Sequence, residues 1–212
     1  MTITTLTKLD FGQFLQQRPD DGIYELVNGE IVKVEAIRAR KNVARYLVKS
    51  FDKESERLKL DYIVDKDIVI RTVTNKGEQR GRNPDVSVVS ASLWNSNVTT
   101  YGALIDAIQL AVEVISTNWE DDYIDKLEEY ENLGIKEYWI VDYLAIPRSR
   151  FAIAARSYLG NPKLPTIFVY ELIDGKYQVK AFTGTEKIIS PTFSELNITV
   201  EDVIKASQIH NL

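Results

Sequence analysis

Cysteine is absent from this chain, and histidine occurs once, at position 210 of 212. Without cysteine there is no disulfide, no thiolate metal site and no cysteine nucleophile, and nothing points to an oxidising compartment. Serine–histidine catalysis and histidine-rich zinc sites both need an imidazole inside a formed site. His210 reads as a tail residue, which excludes both. Long apolar runs are also lacking, and Met1-Thr2-Ile3-Thr4-Thr5 does not have the basic and then apolar profile of a secretory signal. No membrane span is expected, and the cytoplasm is the default compartment. Basic excess is missing as well: the net charge is -5, which argues against a broadly basic nucleic-acid coat while leaving room for a local positive groove. The chemistry that remains is that of carboxylates and lysine.

What is present is ordinary for a globular protein. With 44% hydrophobic and 27% charged residues, the chain is long enough for one good core and short for two, so a single domain over residues 1–212 is expected. No internal repeat or low-complexity segment interrupts it.

The informative stretch is Gln109-Leu110-Ala111-Val112-Glu113-Val114-Ile115-Ser116. It is apolar, rich in β-branched residues and too short for a helix, which predicts a buried strand. Alternation puts Ala111, Glu113 and Ile115 on one face and Val112 and Val114 on the other. An ionised glutamate there is costly unless a cation or several donors meet it. Asp85 opens a second apolar run, Val86-Ser87-Val88-Val89, behind a proline where a strand tolerates one. Two carboxylates on two short strands suggest a metal site; the plainer alternative is a structural pair satisfied by loop amides or arginines.

Around this centre the pattern is mixed α/β. A short helix is predicted from Phe11 to Arg18, then a hairpin of Ile23–Val27 and Ile31–Val34 joined by Asn28-Gly29, the strongest short hairpin signal. Glu25 lies in the first strand, either as a solvent-facing edge residue or as part of the site. From Ile37 to Leu60, without glycine or proline, Val43, Leu47, Phe51 and Leu58 recur at helical spacing. Strands at 62–64 and 67–70 precede a polar loop over 74–83, and an irregular stretch is expected from Leu93 to Thr100, with Trp94 anchoring it. Thr117–Glu120 has capping-box spacing, predicting a helix to Leu133 with Gly134 as its stop. A strand, Glu137–Asp142, follows; strand, helix and strand with short links read as a right-handed parallel crossover. Tyr143 to Pro165, with Arg148, Arg150 and Arg156, reads as an irregular excursion. A second hairpin, Thr166–Leu172 and Tyr177–Phe182 around Asp174-Gly175, is extended by Ile188-Ile189, and a last helix, Val200–Ala206, has Thr199 as its cap. Tyr138 and Trp139 read as core packing.

Basic residues cluster twice. Arg38, Lys41, Arg45 and Lys49 share one face of the long helix, and Arg80 and Arg82 lie in the loop leading to Asp85. Either group is a solvated charged face or a phosphate-contacting one.

Tyr24-Glu25-Leu26-Val27-Asn28-Gly29-Glu30, Pro84-Asp85, Glu113-Val114-Ile115-Ser116, a helix carrying Lys126, and Gly134-Ile135-Lys136-Glu137-Tyr138-Trp139-Ile140-Val141-Asp142 stand in an order and spacing that resembles the Uma-type endonucleases. These bacterial proteins, once grouped as a domain of unknown function, belong to the PD-(D/E)XK nuclease superfamily, and the resemblance runs from about residue 10 to 205. It implies a restriction-endonuclease-like core, with a mixed central β-sheet flanked by helices beside the N-terminal hairpin and long helix. It also implies a Mg2+- or Mn2+-dependent phosphodiester hydrolase acting on DNA. Asp85, Glu113 and the Val114 carbonyl would be metal ligands. Lys126 resembles a catalytic lysine that has migrated to the following helix, since Ile115 stands in the usual lysine slot two residues after Glu113. Glu25 would back the metal or bind a second one, and Asp142 is a lesser acidic candidate. A hard cation suits this chemistry because it activates water, polarises the phosphoryl oxygen and neutralises the leaving oxygen. Cutting both strands would favour a two-fold dimer.

Two other readings stand beside this one. A nuclease fold that has lost catalysis could serve as a nucleic-acid-binding or protein-interaction module, which the missing lysine beside Glu113 and the acidic charge favour. A carboxylate-pair glycosidase would need a cleft lined by exposed aromatics, which the three tryptophans do not suggest.

Overall fold

The structure, a computed structural model, describes residues 8–97, 101–115, 121–144 and 164–208. Ser116, the Thr117–Glu120 capping box, most of the expected 143–165 excursion with its three arginines, and His210 lie outside the described residues.

Among the described residues, eleven strands form two mixed sheets. In the five-stranded sheet, β1 (Ile23–Val27) pairs with β2 (Glu30–Val34) and β5 (Gln79–Arg82), and β4 (Val69–Val73) pairs with β5 and β7 (Ala103–Leu104). The six-stranded sheet runs in the order β11 (Lys176–Thr183), β10 (Thr166–Ile173), β9 (Glu137–Asp142), β8 (Leu110–Val114), β6 (Val86–Ser90) and β3 (Tyr62–Asp65). The β8–β9 pair is parallel, as the crossover predicted, with Glu113 opposite Ile140. The other pairs in this sheet are antiparallel.

Local chemistry accounts for most boundaries. Helix α1 (Phe11–Gln17) starts at a capping box in which Asp10 accepts from the Gln13 N–H. The β1–β2 turn places Asn28 at φ 55° and Gly29 at φ 81°, and Asp174 and Gly175 do the same between β10 and β11, the left-handed pair that a two-residue hairpin requires. Helix α2 (Arg38–Leu58) stops at Lys59, which sits at φ 54° where the backbone turns back on its own carbonyls. Helix α4 (Lys126–Leu133) ends on Gly134, and α5 (Val200–Ala206) is capped by Thr199 as expected.

The central strands of the six-stranded sheet, β8 and β9, are buried on both faces. Val86, Val88, Leu110, Val112, Val114, Trp139 and Val141 meet Val43, Leu47 and Phe51 of α2 and Val203 of α5. Phe51 packs edge-on against Trp139 with ring centroids 5.3 Å apart. The opposite face, with Ala111, Ile115, Tyr138 and Ile140, packs on Tyr130 of α4 and on Ile70 of β4. Glu113 therefore projects from the face covered by α4 and the other sheet.

Four expectations change. The polar stretch ending at Arg82 is not a loop: Gln79–Arg82 is the strand β5, held between β1 and β4. It has no apolar alternation, so only its neighbours reveal it. Gly81 is needed there, because a Cβ would stand 2.9 Å from Phe14 Cε1 and 3.2 Å from Leu26 Cβ. The stretch after Ser90 begins with a single helical turn, α3 (Ala91–Trp94), capped by the Ser90 hydroxyl. Residues Asp121–Asp125 form a π-helical turn ahead of α4 instead of its regular first turn. Ile188-Ile189 does not extend the second hairpin; only an isolated bridge, Lys187 to Thr199, forms nearby.

Candidate active site

The two sheets meet where β5 leaves one at Arg82 and β6 enters the other at Val86, and the residues between them are Asn83, Pro84 and Asp85. Asp85 is fixed from two sides. The Val114 N–H donates to its Oδ2 at 2.8 Å, and Arg40 Nε donates to Oδ1 and Oδ2 at 2.9 and 2.8 Å. Glu113, fully buried, receives the Tyr130 hydroxyl at 3.0 Å on Oε1, with Lys126 Nζ 3.0 Å from the same oxygen. Its Oε2 is buried and accepts no hydrogen bond, and lies 3.6 Å from an Arg40 Nη.

Lys126 reaches back from α4 to this centre. Besides Glu113, its ammonium lies 3.1 Å from Asp122 Oδ1, 3.4 Å from Glu25 Oε1 and 3.9 Å from Asp121 Oδ2. The π-helical turn places Asp122 and Lys126 on the same side. Arg82 forms a second hub behind the first: its guanidinium is fully buried, pairs with both oxygens of Glu129 at 2.8 Å, and reaches Asp121 at 3.1 Å and Glu25 at 3.3 Å. Thr72 completes Glu129, and the Asn83 N–H donates to Glu25 at 3.3 Å.

The cluster brings the carboxylates of Glu25, Asp85, Glu113, Asp121, Asp122 and Glu129 against three cations, Arg40, Arg82 and Lys126. Carboxylates outnumber cations here, and burial raises the proton affinity of two of them. Burial, aided by Asp122 and Asp85, pushes the Glu113 carboxyl well above the ordinary range against the pull of Lys126 and Arg40. Asp122 is raised by burial too, with Lys126 and Arg40 opposing. For Glu25 the balance is reversed: burial would raise it, but Lys126, Arg82 and the Asn83 amide together hold it low. Burial works against the Lys126 ammonium, yet Glu113, Glu25 and Asp122 hold its pKa well above normal. Glu25 keeps it charged even where Glu113 carries a proton. It is therefore a hydrogen-bond donor and a fixed positive charge, not a base.

The donor set suits a hard divalent cation: its oxygens are carboxylate, and one of them, Glu113 Oε2, is buried without a hydrogen bond. Among the described residues no group of three or more acidic side chains converges as a ready-made cage. The reason is visible, since Arg40 stands between Asp85 and Glu113 and Lys126 stands among Glu113, Asp122 and Glu25. A cavity of about 290 Å³ opens beside them, lined by Glu25, Arg40, Asp121, Asp122 and Lys126.

The structure thus gathers Asp85, Glu113, Lys126 and Glu25 into one cluster and joins Val114 to it through its N–H. Arg38, Lys41, Arg45 and Lys49 are exposed along α2 with no carboxylate partner among the described residues. Arg80 and Arg82 are not outward contacts. Arg80 is only 8% exposed and Arg82 is fully buried, because β5 is an inner strand with α4 beyond it, which withdraws both from the candidate nucleic-acid surface. Asp142 is buried beside the Tyr123 hydroxyl, 3.4 Å away, where it faces the core. Sequence reasoning missed Arg40, Asp122, Glu129 and Tyr130. Arg40 had a signal: three residues before Val43 and seven before Leu47, it lies on the apolar stripe and not on the basic face. A charge on that stripe calls for a buried partner.

A family model, "Uma2: Putative restriction endonuclease", matches residues 11–201. Among solved structures, the fold matches the crystal structure of a putative nuclease belonging to DUF820 from Anabaena variabilis ATCC 29413. That protein is 14% identical, the superposition covers 92% of this chain and 97% of the other, and the TM-score is 0.66. No curated protein matches.

Proposed function

The chain belongs to the Uma2 family, and from that premise we propose that it is a metal-dependent phosphodiester hydrolase, a DNA endonuclease in which Asp85, Glu113 and the Val114 carbonyl hold Mg2+ or Mn2+. The observation that carries this reading is the convergence, from four separate segments, of Glu25, Asp85, Glu113 and Lys126 around a buried carboxylate oxygen with no hydrogen bond. When bound, the ion would supply water activation, polarisation of the phosphoryl oxygen and charge neutralisation at the leaving oxygen.

The chain's own residues prepare that chemistry. The Val114 N–H sets the rotation of Asp85, and Tyr130 and Lys126 fix one oxygen of Glu113, leaving the other without a hydrogen bond and facing Arg40. Lys126 brings a permanent positive charge beside the cavity, placed to stabilise charge developing on a phosphoryl oxygen. Glu25 and Asp122 hold that ammonium in place and face the same cavity, where Glu25 could back the metal or bind a second one. Arg38, Lys41, Arg45 and Lys49 would grip the phosphodiester backbone through charge alone, giving salt-dependent and sequence-independent affinity. A two-fold dimer would cut both strands, and the cytoplasm is the setting we assign.

One observation favours a second reading. Arg40 and Lys126 satisfy most of the cluster without any metal, so a catalytically silent nucleic-acid-binding or protein-interaction module would be stable. Calorimetric titration of metal-free protein with Mg2+ and Mn2+, in the wild type and Glu113→Ala, followed by plasmid nicking on the same samples, separates the two. Nuclease function requires metal binding that is lost with Glu113 and nicking by the wild type alone. Intact plasmid and no binding at millimolar manganese would leave only the module.

A further inference from the structure

We propose that Arg40 is a tethered cation that fills the metal's place between Asp85 and Glu113 and must be displaced before a divalent ion can load. This rests on the reading of Asp85 and Glu113 as metal ligands.

The geometry leaves no neutral way to add an ion. Arg40 Nε covers both oxygens of Asp85, at 2.9 and 2.8 Å, and Oδ2 is already taken by the Val114 N–H. The same guanidinium turns an Nη toward Glu113 Oε2, 3.6 Å away, the one carboxylate oxygen of the pair that lacks a hydrogen bond. Arg40 therefore faces the same two carboxylates as the metal would. An ion ligated by both would sit against the Arg40 guanidinium, whose side chain is only 8% exposed, so little water would screen the two charges. Like charges that close, with so little screening between them, exclude each other.

Packing gives Arg40 no other reason to be charged. It is on the buried stripe of α2 with Val43, Ala44 and Leu47, and an apolar side chain would suit that stripe equally well. Its bonded partner is Asp85, with Glu113 alongside. There is also somewhere for it to go. Arg40 lines the cavity of about 290 Å³ beside Lys126 and a second of about 480 Å³ lined by Lys33, Lys41, Lys66 and Asn83. It forms a wall common to the two, so rotation about its side chain moves the guanidinium into open space. Lys126 differs: it is held by carboxylates that stay in place around any ion bound at Asp85.

The consequence is a metal threshold set by the protein. Loading costs the charge-assisted bonds to Asp85, and Asp85 and Glu113 remain compensated while metal is scarce. The test titrates metal-free wild type, Arg40→Gln and Arg40→Lys with Mn2+ and Mg2+ by calorimetry, and melts each in chelator. Arg40→Gln should bind metal about tenfold tighter or more than the wild type, melt lower in chelator, and gain more from added metal. Arg40→Lys, which keeps the charge without the planar fork, should fall between and serves if the glutamine variant does not fold without metal. A residue with only a structural role would lower the melting temperature without raising metal affinity. Equal or weaker metal binding by Arg40→Gln, with Glu113-dependent binding intact in the wild type, overturns the proposal alone. If neither wild type nor any Arg40 variant binds metal, the metal reading falls and the proposal with it.

Discussion

Replacing Lys126 with methionine keeps the length and apolar stem of the side chain and removes its charge. In the folded protein this strands Glu113, Asp122 and Glu25, whose oxygens stand 3.0, 3.1 and 3.4 Å from the ammonium. Removing one partner of a buried ion pair costs about 3–5 kcal/mol, because the remaining charge has neither water nor a counter-ion. The lower end applies here, since burial already raises the proton affinity of Glu113, which can take up a proton once the ammonium is gone. At a urea dependence of roughly 2–3 kcal/mol per molar, a loss of about 3 kcal/mol moves the unfolding midpoint down by roughly 1–1.5 M. The pH dependence sharpens the test. Lys126 has a folded pKa above its ordinary 10.5, so its contribution is fully present below that value and disappears only as pH rises through the folded pKa. In the wild type it is therefore constant between pH 5 and 8. The variant should be hurt more at pH 8 than at pH 5, where the stranded carboxylates neutralise themselves. Urea unfolding in chelator at both values measures this. A loss below about 1 kcal/mol, or the same loss at both pH values, would refute the claim that Lys126 is the counter-ion of this cluster.

Three further outcomes follow from the structure. Glu113 has its folded pKa raised above the ordinary 4.5, so the folded protein holds a proton that the unfolded chain releases, and stability falls as pH rises from about there through the folded value. Glu113→Gln removes that slope; in chelator the variant should gain on the wild type as pH rises above about 5, and parallel stability curves would count against a raised Glu113 pKa. Arg82→Met should cost about 3–5 kcal/mol in urea unfolding, because Glu129, Glu25 and Asp121 lose their common partner. Lys41→Ala and Arg45→Ala should change stability by less than about 0.5 kcal/mol, while each lowers the salt dependence of DNA affinity by about one in the log–log slope. Unchanged DNA affinity in the double variant would remove α2 from the binding surface.

How much of this was legible in the chain depended on the range of the interaction responsible. Asn28-Gly29 and Asp174-Gly175 made their hairpins, Gly134 ended its helix and Thr199 capped another, because each acts through its own few residues. Glu113 stood out because a carboxylate inside an apolar strand contradicts its surroundings, and the parallel pairing of its strand followed from the short crossover. Strand β5 was not legible, since Gln79-Arg80-Gly81-Arg82 has no apolar period and is extended only because β1 and β4 bind it on either side. Arg40 was hidden among Arg38, Lys41 and Arg45, where composition reads one basic face and only helical phase separates the inward residue from the outward ones.

The sequence by itself determined the turns, the caps, the apolar stripes and the presence of a charge that had to be answered within the core. Which cation answers which carboxylate was decided only in three dimensions. The two sheets join at Pro84, and that junction brings Glu25, Arg40, Asp85, Glu113 and Lys126, residues spread over a hundred positions, within hydrogen-bond or ion-pair distance. Coulomb interactions in a dry interior depend on separations of a few ångströms and on exclusion of water, and neither is a property of spacing along the chain.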